Sequence, residues 1–195
     1  MKARYFSSTS TLIFAFCLAA ISLPRAQAPA AAPPPPPSVK SGQTAPDFAA
    51  NYFMTVDGKR QNKAVKLSDY KGQKNVVLAF FPAAFSPGCT SEMAKYQENT
   101  GEFNKNNTVT LGLSVDSVWA NQAFAEKLGV QFPMLSDSKR DISRTYGVFD
   151  EQGSVARRTT FVIDRKGVVQ KVFMAQEALD PNSALEACAL LKEVK

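Results

Sequence analysis

Cys89 stands in the stretch FFPAAFSPGCTSEM, Phe80 to Met93, behind two prolines and a glycine and ahead of a helical pattern. A cysteine is a nucleophile only as the thiolate. In the first turn of a helix it meets backbone N–H groups without intrahelical partners and the positive end of the helix dipole. Both favour the anion. Pro82 and Pro87 restrict the loop, and Pro87 has no N–H to compete for a partner. Gly88 allows a tight turn of the backbone beside the sulfur. Ser86 places a hydroxyl three residues before Cys89. These residues suit thiolate chemistry. An inert buried thiol fits the local pattern equally well, since most free cysteines are of that kind.

The chain has no histidine. This excludes Ser-His and Cys-His catalysis and argues against a zinc, haem or blue-copper site. No metal and no other cofactor is expected.

A helix opening at Cys89 needs a strand to deliver it. KNVVLAFFP (Lys74–Pro82) is an apolar run rich in β-formers, as a strand buried on both faces should be. CTSEMAKYQENTGEFNK (Cys89–Lys105) reads as one helix with Met93, Tyr96 and Phe103 near one stripe. TVTLGLSVD (Thr108–Asp116) is a second buried strand. SVWANQAFAEKLG (Ser117–Gly129) is a helix with Ser117 as cap and Gly129 as stop. FPMLSD (Phe132–Asp137) is a short strand in which Pro133 suits a first or edge position. TTFVID (Thr159–Asp164) and VVQKVFM (Val168–Met174) flank the turn RKG. DPNSALEACALLKEV (Asp180–Val194) closes the chain as a helix with Asp180 as N-cap and Pro181 at its first position. The order predicts an α/β, thioredoxin-like fold: a mixed central sheet with helices on both faces. Tyr52 and Trp119 are read as packing residues.

The 195 residues, 45% of them apolar, suit one domain of roughly 140–160 residues plus an extension. Residues 1–30 read as a secretion signal: Lys2 and Arg4, then the short apolar core TLIFAFCLAAISL, then AQA at Ala26–Ala28. Cys17 belongs to that apolar core. Residues 31–41, with Pro33–Pro37, read as an extended proline-rich linker, and the domain as residues 42–195. Export to the periplasm or beyond is expected, with an uncleaved N-terminal anchor as the alternative. Of the 23 basic residues Lys2, Arg4 and Arg25 lie in the signal, so 20 face 17 acidic ones afterwards, a net of +3. That charge is too small and scattered to argue for nucleic acid.

FFPAAFSPGCTSEM resembles the active-site loop of the peroxiredoxins, the alkyl hydroperoxide reductase/thiol-specific antioxidant family. The shared pattern is carried by Pro82, Ser86 and Cys89, with Ser86 where threonine is commoner. GQTAPDF, VKLSDYKGQKNVVLAFFP, FPMLSD and RTTFVIDRKGVV extend the likeness over most of the domain. The resemblance implies that Cys89 attacks a hydroperoxide, with Ser86, the N–H groups of Gly88 and Cys89, and Arg158 as donors to the two oxygens. It implies that Arg158, not Arg157, faces the thiol; Arg157 is read as a solvated charge on the opposite face. Pro82 would shield the sulfur. Glu92 either holds Arg158 or simply stabilises the helix N-terminus.

The sulfenic acid product must be reduced. Cys188 shares the apolar stripe of the closing helix with Leu185 and Leu191, so it reads as a core thiol before it reads as a resolving one. The expectation is a one-cysteine mechanism with an external thiol or thioredoxin-like reductant. A homodimer is possible, and nothing in the sequence requires it. The competing readings are an exported thiol–disulfide oxidoreductase and a non-catalytic module of the same fold. The first usually needs C-x-x-C, whereas Ser86 and Glu92 flank Cys89 at that spacing.

Overall fold

The computed structural model describes residues 35–193. The signal segment with Cys17 and the first part of the proline run lie outside the described residues. In chain order the elements are β1 (Ala49–Val56), β2 (Lys59–Lys66), β3 (Asn75–Phe80), α1 (Pro87–Glu98), α2 (Thr100–Lys105), β4 (Thr108–Ser114), α3 (Val118–Leu128), β5 (Met134–Ser136), α4 (Asp141–Thr145), β6 (Phe149–Asp150), β7 (Val155–Ala156), β8 (Thr159–Ile163), β9 (Val169–Met174) and α5 (Asn182–Glu193). Seven strands form one sheet in the order β2-β1-β5-β4-β3-β8-β9, and β6 pairs with β7 apart from it. β3, β4 and β5 run parallel; β8 and β9 continue the sheet antiparallel.

β3 explains the apolar run that precedes Cys89. Its side chains alternate between two cores. Val76, Leu78 and Phe80 pack with Leu111, Leu113, Phe161 and Tyr146 on one face. Val77 and Ala79, with Phe81 beyond the strand end, pack with Cys89, Met93, Tyr96 and Phe124 on the other. A strand covered on both faces favours apolar side chains throughout, and only Asn75 at its start is polar. α3 begins and ends where its caps dictate: Ser117 Oγ accepts the Ala120 N–H at 3.2 Å, and Gly129 closes it in the left-handed region at φ 66°. Asp180 accepts the Asn182 N–H at 3.2 Å at the start of α5.

Several expectations change. The helix read over Cys89–Lys105 is two helices. Asn99 Nδ2 donates to Lys95 O at 2.9 Å and Thr100 Oγ1 to Tyr96 O at 3.1 Å, so side chains compete with the backbone ladder there. Pro133 lies just before β5, an interior strand and not an edge. The linker is not free up to residue 41. Pro37 and Val39 are buried, and Ser38 donates from N to Tyr146 O (3.1 Å) and from Oγ to Thr145 O (3.0 Å). Gly147, at φ 68°, admits this segment; a Cβ there would strike Ser38. Tyr52 packs in the core, but Trp119 is 58% exposed, its ring tilted against Phe53 with centroids 4.5 Å apart and Arg60 above it. The hairpin β1–β2 has no counterpart in the sequence reading. It turns at Asp57-Gly58, both with positive φ.

Candidate active site

Three elements converge on Cys89. β3 ends at Phe80, and Phe81 N–H adds one more bond to Leu113 O at 3.0 Å. Pro82 follows, half-buried. After a four-residue loop, Ser86 caps α1, Pro87 occupies its first position, and Cys89 is the third helical residue with no exposed surface. β8 pairs antiparallel with β3, Phe80 opposite Thr159. Continuing that register by one residue sets Arg158 across from Phe81, on the face of α1.

The guanidinium of Arg158 therefore reaches the sulfur: Nη2 lies 3.4 Å from Cys89 Sγ. Nη1 forms an ion pair with Glu92 Oε2, one helical turn after Cys89. Glu92 is fully buried, and its Oε1 has no hydrogen-bond partner. Gly88 leaves room for this approach, since a Cβ there would stand 3.2 Å from Arg158 Nη2 and the guanidinium would have to give by a few tenths of an ångström. Ser86, Gly88, Cys89, Glu92 and Arg158 thus come together, as the sequence grouped them, and Pro82 stands at the start of the same loop.

Two details differ. Ser86 Oγ accepts the Cys89 N–H at 3.4 Å, so that N–H is engaged in capping and is not an open donor. The serine keeps its own O–H proton to give. The Gly88 N–H has no acceptor among the described residues. Arg157 does point to the opposite face, but it is not simply solvated: it is half-buried and donates from Nη2 to Gly147 O, while its N–H meets Val148 O at 2.7 Å.

Cys188 lies elsewhere. Burial pushes its thiol up to about 11, against a hydrogen bond with Thr108. Thr108 opens β4 opposite Asn75, five residues before Phe80 along β3. At ~3.3 Å per residue that is about 16 Å from the strand end that delivers Cys89. A disulfide needs Cα atoms roughly 4.4–6.8 Å apart. Both thiols are free.

Asp116 escaped the sequence reading. Its Oδ2 accepts the Ala84 N–H at 2.8 Å, inside the loop between Pro82 and Ser86. The nearest signal was its place just beyond a buried strand and before the Ser117 cap.

A buried thiol at a helix start, held against the Arg158 guanidinium and with no second cysteine within bonding reach among the described residues, is the layout of a thiol-dependent redox protein of thioredoxin-like fold. Residues 41–172 match the AhpC/TSA family, and the chain belongs to it. It is 36% identical to alkyl hydroperoxide reductase E of Mycobacterium tuberculosis over 154 residues, 77% of this chain and 96% of that protein. It is 40% identical to peroxiredoxin-1 of Gallus gallus over 138 residues, 67% of each. The crystal structure of peroxidoxin BcpB from Mycobacterium tuberculosis superposes with a TM-score of 0.67 at 31% identity, covering 80% of this chain and 99% of that one.

Proposed function

We propose that the chain is a one-cysteine thiol peroxidase that reduces hydrogen peroxide or organic hydroperoxides. The observation that carries this reading is the 3.4 Å approach of Arg158 Nη2 to Cys89 Sγ in the first turn of α1. The Cys89 thiolate attacks one peroxide oxygen in line with the O–O bond. An S–O bond forms, the O–O bond breaks, and its electron pair leaves on the second oxygen, which takes a proton and departs as water or alcohol. Cys89 becomes a sulfenic acid.

Charge moves from sulfur to the leaving oxygen, so fixed donors near both atoms stabilise the transition state. The Ser86 O–H, the Gly88 N–H and the Arg158 guanidinium supply them. Arginine keeps its charge throughout. Glu92 holds the guanidinium in place, and Pro82 shields the sulfur. The separation of Cys188 from Cys89 supports reduction by an external thiol or a thioredoxin-like protein. The N-terminal segment supports an exported site of action, periplasmic or secreted.

Stopped-flow mixing with hydrogen peroxide and an organic hydroperoxide tests the reading. Oxidation should be far faster than for a free thiol and absent in Cys89→Ser. Intact-mass measurement after one equivalent of peroxide should give sulfenic acid on Cys89. A rapid intramolecular disulfide that vanishes in Cys188→Ala would sink the one-cysteine scheme. A rate no faster than that of free cysteine would sink the peroxidase.

A further inference from the structure

Between Phe81 and Ser86 the chain leaves the sheet with little to hold it. Pro82 has no N–H. Ser86 N–H reaches Ala83 O only at 3.4 Å. Phe85 sits at φ +64° without being glycine, its ring against Phe124 at 5.2 Å. A left-handed residue of this kind persists only when its surroundings impose it. The shortest hydrogen bond of the segment is Ala84 N–H to Asp116 Oδ2, 2.8 Å.

The carboxylate is itself fixed. Ser114 Oγ lies 2.9 Å from the same oxygen and 3.0 Å from Asn121 Oδ1. Asn121 Nδ2 donates to Leu135 O at 2.8 Å, and Ser136 Oγ to Asp116 O at 2.6 Å. Ser114 and Asn121 are fully buried. The Ser114 hydroxyl has one proton for two acceptors, so the Ala84 N–H is the donor that Asp116 does not share. β4, β5 and α3 are thereby tied to Asp116, β5 through the Asp116 backbone carbonyl and α3 through the Ser114 hydroxyl, and Asp116 Oδ2 grips the loop.

We propose that Asp116 is a positioning residue for the reactive thiol. It pins Ala84, so that Ser86 caps α1 in register and Cys89 comes to rest at the Arg158 guanidinium. The effect on turnover rests on the peroxidase reading; the effect on the thiol does not.

Asparagine can keep an oxygen in the place of Oδ2, and alanine cannot. Two readings are made on the full chain: the rate constant for hydrogen peroxide, and thiolate absorbance at 240 nm against pH, with Cys89→Ser subtracted. Asp116→Ala should slow peroxide reduction by about tenfold or more, because small misplacements at a reacting centre are costly, while Asp116→Asn should stay within about threefold of wild type. In Asp116→Ala the Cys89 thiolate signal should appear at higher pH; in Asp116→Asn it should stay in place. An alanine variant unchanged in both readings overturns the proposal. So does an asparagine variant as impaired as alanine, which would assign the effect to charge. Should Asp116→Ala fail to fold, Ser114→Ala carries the comparison, with shifts of the same sign expected and no shift overturning the proposal. A wild-type chain inert to peroxide defeats the peroxidase reading, and the absorbance profile still decides the role of Asp116.

Discussion

At the scale of single residues, the site depends on what is missing from Gly88 and on what Arg158 divides. A Cβ on residue 88 would stand 3.2 Å from Arg158 Nη2. Gly88→Ala should therefore push the guanidinium off the sulfur and slow peroxide reduction, with no loss of thermal stability, because alanine is the better helix former. A rate constant and a melting curve on the same sample check both halves. Arg158 gives one nitrogen to Cys89 and the other to a carboxylate with no exposed surface. Arg158→Ala leaves that carboxylate buried without its cation, a loss on the order of 3–5 kcal/mol. Urea denaturation should show the loss, and adding Glu92→Gln should recover much of it while peroxide reduction stays impaired. A double variant no more stable than the single one would contradict the pairing.

At the scale of elements, Ser86 caps α1, and in the proposed mechanism its O–H also donates to the peroxide. Ser86→Ala should cost about 1 kcal/mol in stability, as lost N-caps do, and slow peroxide reduction as well. Ser86→Thr should keep both properties; if threonine is as poor as alanine, the hydroxyl is not what matters. The caps and β3 were legible in the sequence because their causes are local. Ser117 and Gly129 flank α3 within the segment itself, and β3 is apolar from Val76 to Phe80 because both its faces are covered. β2 was not legible. Its residues KRQNKAVK bury only Val65, so this edge strand shows no alternation to mark the far side of the Asp57-Gly58 turn. The site was legible in part. Cys89, Ser86 and Pro82 share one stretch, whereas Arg158 was chosen over Arg157 through family resemblance. The strand register between β3 and β8 now supplies the physical reason. Asp116 grips Ala84 across 32 positions of sequence, and no periodicity relates them.

At the scale of the whole molecule, the two buried thiols share one core but lie towards different ends of β3. Burial raises Cys188 from its ordinary 9.0 to about 11. Between those values the unfolded chain has lost a proton that the folded chain still holds. Stability from this group is thus whole below about pH 9 and falls as pH rises towards 11, by about 2–3 kcal/mol over the window. Urea midpoints from pH 8 to 10.5 under reducing conditions should fall more steeply in wild type than in Cys188→Ala; equal slopes would refute the shift. Cys89, at the other end, has no surface of its own. A peroxide needs room for two oxygen atoms in line with the sulfur. An incoming thiol must fit a larger sulfur, with its carbon chain, behind the new S–O bond. In the proposed one-cysteine scheme, the packing around the reduced thiol therefore acts as a size filter on regeneration. In that scheme the return half needs the wider opening at the buried sulfur, and solvent viscosity should slow that half more than the first.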